Sequence, residues 1–298
     1  MPATSHHDDT FTLFADSRCD IAENPLWNVH EQMLYWKGDA DAVYRQAFGG
    51  SVETFETFHL GIRVGGMAFT RDNAVLIFAE HGRVYRWQPG TKPVCVAELP
   101  GATATTYFND VIVDPQGRVF CGVLANDFFH PSRRGTAGSL WRFDTDGSFH
   151  CLEPATGAIP NGMGFSRDGR HFYFAVTDTG VIYRYDYDRA TGNLANPMPW
   201  ISRGGPDGLT VDADGCVWVA HWDSPLTRYA PDGNVLREYH LPVRTVSSVT
   251  FGGSDNTTIF VTTAKSSAAP SPHDGGVFAL TQSIHGVPEF LAAEHHQR

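Results

Sequence analysis

Four side chains recur at one register of the chain and together could hold a hard cation. Glu23, Asn109, Asn161 and Asp207 each stand four residues before an apolar anchor, respectively Trp27, Val113, Phe165 and Val211. Two further equivalents are small: Gly65 before Phe69 and Ser247 before Phe251. Brought to one point, the two carboxylates would repel and raise each other's pKa, and a divalent ion would relieve that repulsion. An all-oxygen set suits Ca²⁺ first, with Mg²⁺ or Mn²⁺ behind. Neither Cys nor His joins it, which argues against structural zinc. Taken singly, Asn109-Asp110, Asn161-Gly162 and Pro206-Asp207-Gly208 are ordinary turn residues able to cap their own backbone; only the shared register makes a site of them.

The elements that must position these residues are short strands. Helix signals are nearly absent. A first strand, a polar turn and a second strand rich in aromatic and β-branched residues recur, as in Gly162-Met-Gly-Phe165, Arg167-Asp-Gly169 and His171-Phe-Tyr-Phe174. A third strand follows in each unit: Ala42–Arg45, Arg83–Arg86, Ser139–Arg142, Val181–Arg184, Leu226–Tyr229 and Gly276–Ala279. The six anchors are about 40 to 52 residues apart, the length of a four-stranded blade. The fold class is therefore all-β, a six-bladed β-propeller with a central metal site. Equivalent positions on the innermost strands converge on its axis. Phe11–Phe14 precedes the first unit and is expected to complete the last blade and latch the ring. A β-sandwich array is the alternative, but it leaves the constant unit length unexplained.

The 298 residues are read as one domain over 11–293, with flexible tails at 1–10 and 294–298. Hydrophobic residues at 42% against 18% charged exclude a disordered chain. The net charge of −11 disfavours nucleic acid while tolerating a bound cation. No stretch approaches the roughly 20 apolar residues of a membrane span, and no signal peptide is readable. Five scattered cysteines without CxxC spacing fit reduced thiols, so a cytoplasmic location is expected. The oligomeric state is left open.

The chain resembles the gluconolactonase, or senescence-marker-protein (regucalcin), family of sugar-acid lactonases. The likeness runs from about Ile21 to Lys265 and rests on Glu23-Asn-Pro-Leu-Trp27, Phe108-Asn-Asp110 with Val113-Asp-Pro-Gln-Gly117, Pro160-Asn-Gly162, Pro206-Asp-Gly208 and Phe251-Gly-Gly253. It implies one divalent ion on Glu23, Asn161 and Asp207, with Asn109 near metal and substrate. Calcium is the foremost candidate, with Mg, Mn, Zn or Fe as alternatives. The substrate shell departs from the family. Tyr107 stands where many members carry a substrate-contacting Arg, and Asn126 replaces a carboxylate. The usual acidic residue after the second strand of blade one is displaced in Trp36-Lys-Gly-Asp39.

The implied reaction is hydrolysis of a sugar-acid lactone, a small-molecule cyclic ester. The cation would hold the carbonyl oxygen and activate water. Asp207 is the candidate general base or a pure ligand, and Asn109 would orient lactone or water. The rim that joins second to third strands offers Asp39, Glu80-His81, Asn126-Asp127, Asp178, Trp222-Asp223 and Lys265. From these and Tyr107, substrate contacts are assigned to Asn109, Tyr107, His81, Asn126 and Trp222, the indole to stack on a sugar ring. His81 is either a second proton carrier or a bystander. The long loop Ala125–Gly138, with Arg133-Arg134, reads as a lid or as a surface excursion. Two rival functions remain: another ester or phosphotriester hydrolase on the same metal shell, and a non-enzymatic metal- or sugar-binding propeller.

Overall fold

The computed structural model describes residues 10–125, 137–223 and 225–296. It is a six-bladed β-propeller in which every blade is a four-stranded antiparallel sheet. Blade one comprises Glu23–Asn28, Met33–Lys37, Ala42–Ala47 and Glu56–His59, and the next four blades repeat that order outward from the hub. The last blade has Thr245–Gly252 innermost, then Thr258–Ala264 and Val277–Thr281, and is closed by Thr12–Ala15 from the start of the chain. The expected latch is therefore present. A single 3₁₀ turn, Thr177–Thr179, is the one helical element among the described residues.

The anchors hold neighbouring blades together. Phe69 meets Tyr35 of blade one at 5.2 Å between ring centroids, Phe165 meets Phe120 of blade three at 5.4 Å, and Phe251 meets Trp218 of blade five at 5.7 Å. Trp27 stacks on Phe260 at 5.6 Å and so joins blade one to blade six. Each such pair is worth about 0.5–1.5 kcal/mol beyond its burial. Inner strands also touch one another around the ring, and Thr245–Gly252 packs against Glu23–Asn28 to close it.

The inner strands share a second device. Each carries a one-residue register shift near its start, between Glu23 and Leu26, Val64 and Gly66, Phe108 and Val111, Pro160 and Met163, Pro206 and Leu209, and Val246 and Ser248. A bulge re-aims the side chain of its extra residue. In blades two to six the register position lies inside the bulge, so Asn109, Asn161 and Asp207 are turned at the same point. In blade one Glu23 borders the shift, and its neighbour Asn24 adopts φ +50°. The glycines that follow Asn161 and Asp207 let adjacent inner strands approach. A Cβ on Gly162 would lie 2.2 Å from the Asp207 carbonyl oxygen, and one on Gly208 would lie 2.0 Å from Ser248 Oγ.

The C-terminal stretch returns across the end of the propeller remote from these residues. Ala292 bridges Thr70, and His295 is buried with its ring 4.4 Å from that of Phe143. The expected flexible tail at 294–298 is thus anchored at least through His295, because the ring finds an aromatic floor that composition does not announce. No helix of the described residues is long and apolar enough to cross a membrane.

Candidate functional site

The starts of the inner strands open into a cavity of about 550 Å³ whose walls include Glu23, Lys37, Tyr107, Asn109, Asn161 and Asp207. The four residues selected by register therefore share one chamber. Trp222 also lines it, half-buried and fixed by its backbone N–H to Gly205 O at 2.7 Å. Asn126 and most of the 125–138 loop lie outside the described residues.

Hydrogen bonding fixes the orientation of both amides. Asn109 Nδ2 donates to the Pro160 carbonyl at 3.0 Å. Asn161 Nδ2 donates to Thr177 Oγ1 at 2.9 Å, and that hydroxyl donates its own proton to Pro206 O at 2.7 Å. Thr177 Oγ1 can then only accept from Asn161, and a carbonyl can only accept from Asn109. One N–H of each amide is held by the wall, which fixes the Oδ1 atoms as the acceptors or metal donors.

Asp207 is 2% exposed, and its Oδ1 is buried without a hydrogen-bond partner. Burial pushes its pKa well above the ordinary carboxylate range, and the Glu23 and Asp110 charges push it further. Interaction with Asn161 and the Lys37 charge pull the other way. Asp110 faces a second chamber of about 290 Å³ at the opposite ends of the inner strands. It keeps part of its surface on that channel, yet the surrounding walls, and then the Glu23 charge, push it up to about 7.

These features fit a divalent cation. The donors are oxygens, and an orphaned buried carboxylate oxygen is costly unless something positive completes it. Another group among the described residues, Asp72, Glu294 and His296, is exposed, and Asp72 is already engaged by Arg86 at 2.6 Å.

Several rim expectations are corrected. His81 does not line the cavity. It occupies the left-handed corner of a tight turn at φ +61°, and its neighbour Glu80 faces the cavity instead. Asp178 caps the backbone N–H groups of Ala158 and Ile159, both at 2.9 Å. Asp223 accepts from Thr245 Oγ1 at 2.9 Å, and Lys265 pairs with Asp20 at 2.5 Å. None of these three lines the cavity, while Asp39 and Trp222 do.

Sequence reasoning passed over three groups. Lys37 lies directly across the hairpin from Glu23, with Nζ 2.5 Å from Oε2. Counting back from the blade-one turn would have found it. Asp110, beside Asn109, has only the mark of a turn residue in the sequence. Arg63 lines the cavity with its guanidinium 5.9 Å from the Tyr107 ring centroid, but it lies outside the shared register.

Comparison with known proteins gives concordant results. The family model described as SMP-30/Gluconolactonase/LRE-like region matches residues 21–265. The pentonolactonase XacC of Haloferax volcanii is 35% identical, over 94% of this chain and 97% of that protein. The 6-deoxy-6-sulfogluconolactonase of Pseudomonas putida is 32% identical, over 92% and 95% respectively. Among solved structures, the calcium-binding protein regucalcin of Agrobacterium tumefaciens superposes with a TM-score of 0.84 at 23% identity, covering 95% of this chain and 97% of that one. That likeness speaks to the fold.

Proposed function

The chain belongs to the SMP-30/Gluconolactonase/LRE-like family, and on that premise we propose that it hydrolyses a sugar lactone with the help of one divalent cation at the hub. The observation that carries this reading is the buried Asp207 Oδ1, an oxygen without a hydrogen-bond partner, which shares a cavity with two amides that the wall holds through their nitrogens. Glu23, Asn161 and Asp207 would hold the ion, and Ca²⁺ is the hard cation that best suits such donors. A cation bound there supplies Lewis acidity toward a carbonyl oxygen and lowers the pKa of a water molecule.

The remaining steps belong to the chain's own groups. Asp207, deprotonated when the site is loaded, accepts a proton at the carboxylate oxygen that ligation leaves over as water adds to the lactone carbonyl carbon. The ring C–O bond then breaks, and the same proton passes to the departing ring oxygen. The product is the open hydroxy acid. Asn109 Oδ1 accepts a hydrogen bond from a lactone hydroxyl and sets the ring's orientation. Tyr107 and Trp222 offer apolar faces to the sugar.

A pH-indicator assay tests the reading. Adding an aldonolactone should release protons enzymatically, a chelator should abolish the release, and Ca²⁺ or Mn²⁺ should restore it. Turnover that persists after complete metal removal would sink the metal-dependent mechanism. Phosphotriester turnover far above lactone turnover would reassign the substrate class.

A further inference from the structure

Lys37 enters the hub from the end of the second strand of blade one. Its backbone pairs with Glu23 on one side and Val43 on the other. The following residue, Gly38, is pressed against Tyr44, where an added Cβ would overlap the ring, so the strand end is held in place. The ammonium lies 2.5 Å from Glu23 Oε2, and the two side chains are only 11% and 15% exposed. Lys37 also lines the chamber that contains Asn109, Asn161 and Asp207. A fixed positive charge therefore already neutralises one of the hub's two carboxylates.

We infer that Lys37 is a resident cation of the hub, which competes with the divalent ion for Glu23 and thereby weakens and tunes metal binding. The inference rests on the proposed metal site. An ion held by Glu23, Asn161 and Asp207 must share Glu23 with the ammonium or displace it. Either way a unit positive charge stands beside a double one in a shielded chamber, where like charges interact far more strongly than in water. The same charge balances the hub of the metal-free protein, since a shielded carboxylate deprived of its partner is destabilising. Lys37 is thus a positioning and tuning residue rather than a catalytic one.

Calorimetric titration of Ca²⁺ and of Mn²⁺ into metal-free protein is the direct test. Lys37→Met should bind either ion tighter than the parent, on the order of tenfold or more, while Lys37→Arg keeps the charge and should not tighten. Metal-free Lys37→Met should melt below the parent, and saturating Ca²⁺ should close the gap. The intact protein gives an independent reading. With ¹⁵N-labelled lysine, the Lys37 ammonium signal should shift on Ca²⁺ titration, and Asp207→Asn should abolish that shift. Equal or weaker binding by Lys37→Met, or a Lys37 signal unmoved by saturating Ca²⁺, overturns the inference. These measurements are independent of turnover, so they stand apart from the lactonase assay.

Discussion

Two sets of buried aspartates behave in opposite ways. Asp114 and Asp212 follow the inner strands of blades three and five and are fully buried. Asp114 accepts from Gln116 N at 2.8 Å, Arg118 N at 3.0 Å, Arg118 Nε at 2.6 Å and the Tyr187 hydroxyl at 2.8 Å. Asp212 repeats the pattern with Asp214 N, Cys216 N, Trp218 Nε1 and Arg228 Nε, all at 2.8–3.0 Å. Asp207 is buried almost as deeply, yet one of its oxygens has nothing to accept from. Burial with complete hydrogen bonding makes a strut. Burial with an oxygen left open makes a site, at a cost in stability that the scaffold must offset.

The sharpest way to break this comparison is a pair of isosteric changes. Asp207→Asn should lower lactone kcat/KM by about 10³-fold or more, as loss of a general base and ligand together implies, while chemical-denaturation stability holds or rises. Asp212→Asn should do the reverse. It leaves Arg228 poorly compensated and should cost about 3–5 kcal/mol, with turnover per folded molecule within about twofold of the parent. If both variants lost activity and stability in parallel, the division into strut and site would fail.

A second contrast concerns pH. Asp110, pushed up to about 7, binds its proton more tightly in the folded chain than in the unfolded one. Its stabilising contribution is complete below about pH 4 and disappears as pH rises through about 7. Asp207 shifts in the same direction. The Tm of the metal-free protein, measured relative to Asp110→Asn, should therefore fall between pH 5 and 8. Saturating Ca²⁺ should flatten that difference, because the ion favours deprotonated carboxylates and displaces protons. A Tm difference independent of pH would mean that the channel around Asp110 is wetter than its walls suggest.

The sequence carried the fold well because each anchor does one repeated job. Trp27, Phe69, Phe165 and Phe251 pack against the second strand of the preceding blade, so apolar spacing and architecture are the same information. The four hub residues were legible for a related reason, since one register position means one radial position. The bulges that aim them were not legible, because a one-residue shift leaves no mark in composition. Lys37 was hidden because a cross-strand neighbour is close in space and fourteen residues away in sequence. The rim was read least well. A loop residue's direction depends on the turn's φ and ψ, and His81 at φ +61° shows how a tight corner can hand the cavity to its neighbour.

That last pair supplies the mildest test. Trp222 and His81 stand on equivalent rim loops, and only Trp222 lines the cavity. The main chain of Trp222 is held by its N–H bond to Gly205 O, and Gly205 at φ +65° has the Trp222 carbonyl oxygen 3.0 Å from where its Cβ would lie. A ring carried on a fixed main chain offers an apolar face to the cavity with only its side-chain torsions left to order on binding. It does not touch the reacting bond, so it should contribute equally to ground and transition states. Trp222→Ala should then raise KM by about five- to tenfold with kcat nearly unchanged, which is the signature of uniform binding. His81→Ala should change neither constant beyond about twofold. A fall in kcat for Trp222→Ala would mean instead that the indole fixes the lactone's angle of approach to Asp207, and the wall of the cavity would then have to be counted with its hub.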